Sequence, residues 1–458
     1  MAEQVREAEA EDQGGRLTLP NQHVRREARL RRIIGAAALL SGCAGHATTG
    51  AAPTNDSLLQ RMLVAEDARG TGAEGIAPLL EGQKSADSTL RFVANRALER
   101  LKWSPTPPPP PSNRQPRSAA QRPPGAPCAR LMAPAHSNDL RVRIPTADSL
   151  TNCTGDGTTL ITLAHSSDDN IRAGAITGLS RTTAHTNDTV FIAALSAHGY
   201  QVVLAAAAAL RGSPTGARAV PALLVALDRL TAARRENSRD ERMAILARLT
   251  EFATAADAPR LRAYTADFDT TVAAKAAGML TAWTGTAVVP HARPLPIRPE
   301  PLAQIFRTRD MQLRITMAPS SGGGVILINL FTTDAPATIA RVSRLARAHY
   351  YDGLSFHRYV PNFVIQGGSP GANEQVGDAQ FMRDELGGHS HLRGTVGIST
   401  RGHDTGDAQF FINLVDNKRL DHDYTVFGEV IAGMDVVDRI RAGDVMQRVD
   451  VIGGTTRR

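Results

Sequence analysis

At 458 residues the chain exceeds one ordinary domain, so two or three folded units are expected. Hydrophobic residues at 42% suffice for packed cores, while the aromatics, 4% in all, gather late at Tyr350, Tyr351, Phe356, Tyr359, Phe363 and beyond. Small-residue helix packing is therefore expected first and an aromatic-bearing sheet after it. The formal charge of +7 is local: Lys102, Arg114, Arg117, Arg122, Arg130, Arg141 and Arg143 meet only Asp139 within one proline-rich tract. A solvated linker of this kind is not an ordered basic face, and nucleic acid is excluded as a partner.

In chain order, residues 1–42 read as an export signal region. Arg25, Arg26, Arg29, Arg31 and Arg32 precede the apolar run from Ile33 to Leu40, which is too short to span a bilayer. The run ends in Leu40-Ser41-Gly42-Cys43, which resembles the lipobox of bacterial lipoproteins. That resemblance implies cleavage before Cys43 and lipidation of its thiol. The protein is then exported and anchored in the cell envelope on the periplasmic side, touching membrane only through the lipid. Ala44 carries no aspartate-type retention signal, which favours the outer membrane. The long stretch ahead of the arginines departs from the pattern; an ordinary cleaved signal and an incidental apolar start are the alternatives. In an oxidising compartment Cys128 and Cys153 either bridge or remain free thiols.

Residues 43–56 are a small, polar tether. Over 57–103, Leu58, Leu59, Met62 and Leu63, then Leu79 and Leu80, then Leu90, Val93, Ala97 and Leu101 follow helical spacing. Residues 104–156 are expected to be an extended basic linker, because Pro105, Pro107 to Pro111, Pro123, Pro124, Pro127 and Pro134 remove helix donors. Helical units return over 157–287, beginning near 158, 189, 220 and 256, close to the ~33–47-residue periods of helical solenoids. The break at Asp168 and Arg172, before an Ala-rich second helix, resembles HEAT repeats. That resemblance implies a stacked array with a long surface for clients or a protein partner; an irregular helical bundle is the alternative. No phosphate loop or metal-spaced cluster occurs here, so neither a cofactor nor a metal is expected. Residues 288–304, with Pro290, Pro294, Pro296, Pro299 and Pro301, form a second linker.

From 305 to 455 the period changes. Leu313, Ile315 and Met317 alternate with polar residues, Val325 to Leu330 form a second strand, and Pro336 opens a helix through about Ala348. Four runs then follow in register: Tyr351 to Arg358, Pro361 to Gly368, Ala408 to Ile412 and Thr425 to Val430. Together they resemble the cyclophilin-type peptidyl-prolyl cis/trans isomerases over nearly all of 312–442. The fold expected is thus multidomain: all-α HEAT-like helical repeats followed by a cyclophilin-like closed β-barrel with flanking helices.

The chemistry suits those residue types. Prolyl bonds turn over slowly because amide resonance sets a barrier of ~18–20 kcal/mol. Catalysis requires an apolar grip on the ring and a fixed donor for the nitrogen of the twisted amide. The resemblance implies that Arg358 is that donor and that Phe363, Val364, Phe411 and Leu420 form the proline pocket. It further implies that Gln366 orients substrate and arginine, that Gln409 lines the site, and that Thr400 contributes main chain. Phe410 is expected in the core, and His357 in a structural role. In place of a frequent tryptophan stands Arg419, which puts tight cyclosporin binding in doubt; Tyr424 replaces a frequent histidine at the pocket; Arg341-Val342 alters helix packing; and 402–407 is unusually acidic. The expected function is isomerisation of Xaa-Pro bonds in exported, proline-containing polypeptides, assisting folding. The alternative is a scaffold whose domain binds proline peptides with little or no turnover.

Overall fold

Short aspartate turns set where many of the helices begin. The structure, a computed structural model, describes residues 55–68, 72–102, 125–155 and 157–456. The signal region, Cys43 and residues 103–124 lie outside them. Asp87 accepts a hydrogen bond from Thr89 N at 2.7 Å, Asp139 from Arg141 N at 2.9 Å, Asp168 from Asn170 N at 2.9 Å and Asp269 from Thr271 N at 2.8 Å. Each satisfies donors that a helix start leaves unpaired, and an alanine there costs about 1 kcal/mol.

The first helices are α1 (Asn55–Ala68), α2 (Ala73–Gln83) and α3 (Ser88–Lys102). Then come α4 (Met132–Ala135), α5 (Leu140–Leu150), α6 (Gly157–Leu163), α7 (Asp169–Thr182), α8 (Asp188–Ala194) and α9 (Tyr200–Ala209). The run continues with α10 (Val220–Ala232), α11 (Arg239–Phe252), α12 (Ala258–Leu261) and α13 (Thr270–Thr284). In this array α5, α7, α9, α11 and α13 pack each against the next, while α6, α8 and α10 back α7, α9 and α11. One apolar cluster runs through it, from Cys128 by way of Leu160, Ile176, Val203, Leu227 and Leu246 to Leu280. Arg242 and Asp267, both fully buried, pair inside it at 2.6 Å, and the guanidinium lies 4.2 Å from the Phe268 ring centroid.

One expectation about organisation is corrected. The proline-rich tract does not stay extended through residue 156. Pro127 and Thr154 form a β-bridge, Cys128 and Cys153 are joined by a disulfide, and α5 runs through Pro145. The cross-link and the bridge hold the ends of this segment together, and Ile144, Ala147 and Leu150 bury its helix. That burial outweighs the donor lost at one proline. Helices α1–α3 sit apart from the array. Leu59, Met62, Leu79, Leu90 and Val93 belong to the same apolar cluster as the C-terminal sheet. Gln60 fastens them there, donating to Glu300 O and accepting from Ala303 N, each at 2.8 Å. Glu66, held between Arg96 at 3.0 Å and Arg100 at 2.8 Å, ties α1 to α3, and Arg100 donates to Leu386 O and Asp334 O, each at 3.0 Å.

The sheet follows α14 (Leu302–Arg307). Its strands are β1 (Thr308–Met317), β2 (Val325–Leu330), β3 (Phe356–Val360), β4 (Val364–Gly367), β5 (Thr395–Ile398), β6 (Phe410–Asn413), β7 (Val426–Ala432) and β8 (Met446–Thr456). All pairings are antiparallel, in the order β3-β4-β6-β5-β7-β2-β1-β8. The sheet curls until its ends meet. Closure is by a short contact rather than a full ladder: Ser355 and Val445 form an isolated bridge, with Gly353 N to Met446 O at 2.7 Å and Phe356 N to Asp444 O at 2.8 Å. Helix α15 (Pro336–Arg347) lies on the curled sheet, and α16 (Met434–Arg439) packs on β2. The alternation read in β1 is present, with Met311, Leu313, Ile315 and Met317 turned into the core.

Candidate active site

Four neighbouring strands put the site in one row. In the ladder Arg358 pairs with Gln366, Gln366 with Phe411, and Phe411 with Gly397. Residues directly opposite across a sheet share a face, and alternation sends Ile365, Phe410 and Ile412 inward to the core. Arg358 reaches the outer row through a bulge. Phe356, which is in the core, pairs with Gly367, and the register then shifts before Arg358 pairs with Gln366. The extra residue is His357, and such an insertion re-aims the side chain after it.

Gln366 is the hub. Its Oε1 accepts from Arg358 Nη1 at 3.4 Å, and its Nε2 donates to Ser399 Oγ at 2.9 Å and Gln409 Oε1 at 3.1 Å. Gln409 in turn donates to the carbonyls of Glu374 and Val376, each at 3.2 Å. Both amides are buried, so every partner counts toward fixing their orientation. Arg358 is half-exposed, and its Nε lies 3.2 Å from Glu374 Oε1. The guanidinium is thus held at two places with further N–H groups remaining.

Next to this polar row lies a separate apolar cluster of Val364, Phe411 and Leu420, with Phe363 and Tyr424 partly buried against it. Gly397 makes room for it: a Cβ there would lie 2.5 Å from the Phe411 ring. The main chain of Phe363 is pinned by Leu414 N at 2.9 Å and Asn417 Nδ2 at 3.0 Å. Just before it, Asn362 takes the left-handed conformation (φ 56°), which asparagine tolerates better than most residues. The Phe411 ring stacks on His391 at 5.8 Å and meets Tyr424 edge-on at 5.8 Å. Arg419 lies over Phe363, 4.6 Å from its ring centroid, so a cation–π contact covers that flank of the cup.

Of the residues singled out from sequence, Arg358, Gln366 and Gln409 meet in the polar row, and Phe363, Val364, Phe411, Leu420 and Tyr424 meet in the cup. Thr400 is half-buried beside Ser399, and its side chain makes no hydrogen bond among the described residues. Cys43 lies outside them. Phe410 is wholly in the core. His357 is buried, and burial first and the Arg358 charge second push its pKa down to about 3. It is neutral at any physiological pH. Burial and the Asp423 charge raise the Tyr424 phenol, which stays protonated.

Glu374, Ser399 and His391 were not singled out from sequence. Ser399 and His391 belong to no motif, and Glu374 sits on a loop whose path depends on distant contacts. The arrangement can grip a small apolar ring, accept and donate around its amide, and aim a permanent cation at one point beside the cup.

Comparison with known proteins agrees with this chemistry. The family model described as cyclophilin type peptidyl-prolyl cis-trans isomerase/CLD matches residues 314–453. The chain is 38% identical over 133 residues to peptidyl-prolyl cis-trans isomerase B of Bacillus subtilis, covering 29% of this chain and 93% of that protein. It is 37% identical over 130 residues to the Helicobacter pylori peptidyl-prolyl cis-trans isomerase, covering 28% and 80%. A third relative, peptidyl-prolyl cis-trans isomerase ppi1 of Schizosaccharomyces pombe, is 40% identical over 124 residues, covering 26% and 79%. The matches leave the helical array outside.

Proposed function

Since the chain belongs to the cyclophilin-type peptidyl-prolyl cis-trans isomerase family, we propose that it catalyses rotation about Xaa-Pro bonds of exported polypeptides, with Arg358 as the catalytic residue. The observation that carries this reading is the Arg358–Gln366–Phe411 row, which sets a fixed cation beside an apolar cup. The proline ring enters among Phe363, Val364, Phe411 and Leu420. As the amide twists, its nitrogen regains a lone pair, and a guanidinium N–H donates to it. That interaction exists only in the twisted state, so it lowers the barrier rather than merely tightening binding. Gln366 keeps the guanidinium aimed through its Oε1.

Export to the periplasmic side through Cys43 and a role in folding complete the reading. The Cys128–Cys153 disulfide supports an oxidising compartment. Stacking of α5, α7, α9, α11 and α13 supports the HEAT-like reading, in which the array holds clients near the isomerase and raises their effective concentration. Metabolic lipid labelling of the parent and of Cys43→Ala tests the anchor; label that persists in the variant would refute it.

The test of function is a protease-coupled or NMR-exchange assay of the full chain on a short Xaa-Pro peptide. Turnover in the parent that Arg358→Ala abolishes is the expected result. Tight peptide binding with no turnover in the parent would establish the scaffold instead.

A further inference from the structure

The helical array touches the isomerase at the loop that steadies its arginine. Residues 369–378 follow β4 and carry Glu374, the carboxylate beside Arg358 Nε. One group from the array grips this loop directly, and a second acts on it through Arg401. Asn170, in the first turn of α7, donates from Nδ2 to Gly371 O at 2.8 Å and accepts at Oδ1 from Asn373 Nδ2 at 3.0 Å. Gln201, from α9, donates to the same Oδ1 at 2.9 Å, which fixes the Asn170 amide. Arg401, between β5 and β6, donates from Nη1 to the main-chain carbonyl of Glu374 itself. Arg401 is itself held by the array: its Nε lies 2.7 Å from Asp240 Oδ2 on α11, and its Nη2 donates to Asn237 O at 3.2 Å.

Glu374 is needed because Gln366 alone holds the guanidinium through one long hydrogen bond of 3.4 Å. A charge-assisted contact at Nε is stronger and leaves the Nη groups for Gln366 and substrate. Where Glu374 stands, however, is decided by the carbonyls that Asn170 and Arg401 hold. Asp148 on α5 shows the same proximity by its charge: desolvation first and Glu374 second push its carboxyl up, while Arg358 pulls it down.

We propose that Asn170 and Asp240 of the helical array are positioning residues for prolyl isomerisation, acting through the Glu374 loop on the Arg358 guanidinium. The array is then a working part of the active site. This inference rests on the isomerase reading above.

The experiment is a double-mutant cycle in the full chain, with kcat and KM measured separately on a short Xaa-Pro peptide for Asn170→Ala, Glu374→Ala and the pair. A displacement of about 1 Å costs up to about a hundredfold. Asn170→Ala is accordingly expected to lower kcat about tenfold and to leave KM within about twofold. Combined with Glu374→Ala it should add nothing, since no carboxylate remains to be placed. Losses that multiply in the pair, or an Asn170→Ala chain with parental circular dichroism and parental kcat, would overturn the proposal. If Asn170→Ala does not fold, Asp240→Asn replaces it in the cycle and decides by the same criterion. A parent without turnover defeats the isomerase reading and this one together; an active parent with multiplying losses defeats this one alone.

Discussion

Arg358→Lys separates charge from geometry. The arginine reaches Glu374 through Nε at 3.2 Å and Gln366 through Nη1 at 3.4 Å, and keeps further N–H groups for the prolyl nitrogen. A lysine ammonium has three N–H donors but all on one atom at the end of a flexible stem, so it cannot reach partners spread around a planar fork. A hydrogen bond to a charged group contributes about 1.5–3 kcal/mol. At about 1.4 kcal/mol per factor of ten, losing it in the twisted state lowers kcat roughly ten- to 150-fold. KM should stay within about twofold, because Phe363, Val364, Phe411 and Leu420 are untouched and the ground-state amide nitrogen is a poor acceptor. NMR exchange on a short Xaa-Pro peptide, followed over a concentration series, reads both constants. A lysine variant with parental kcat would show that positive charge alone suffices and would refute the argument from the held fork.

Three stability predictions concern the helical array. Arg242→Ala strands a fully buried Asp267 and is expected to cost about 3–5 kcal/mol in urea unfolding; replacing both residues by apolar ones should recover most of that loss. Reducing the Cys128–Cys153 bridge, which spans 25 residues, should cost about 3 kcal/mol on the loop-entropy account, read as a lower Tm in dithiothreitol. Burial pushes Glu241 up to about 8, and neither carboxylate oxygen has a partner among the described residues. Its pKa is higher folded than unfolded, so the folded chain binds the proton more tightly. The penalty is absent below the ordinary value of 4.5 and grows as pH rises from there to about 8. Glu241→Gln should therefore raise Tm most at the alkaline end of that window, and an equal effect at pH 4 would refute this origin.

Much of the candidate site could be read from the chain because its residues lie in short strand runs that resemble the family. Gln366, Phe411 and the core residue Phe410 were legible through those runs. Arg358 was legible through its motif but not through alternation. The bulge at His357 reverses the face it would otherwise take, and a bulge is a property of pairing between strands. Glu374 escaped notice because its loop is placed by Asn170 and Arg401, about 200 residues apart in one case from the segment they hold.

Composition and periodicity by themselves determined that helices come first and a sheet last, since 3.6- and 2-residue patterns follow from backbone geometry that each segment carries within itself. Which helices go with which core was decided only in three dimensions. Helices α1–α3 have the same apolar spacing as those of the array, yet they pack on the sheet. Amphipathic faces state that something must be buried, not against what; the partner is chosen by shape and by fasteners such as Gln60 and Arg100, whose partners lie far along the chain.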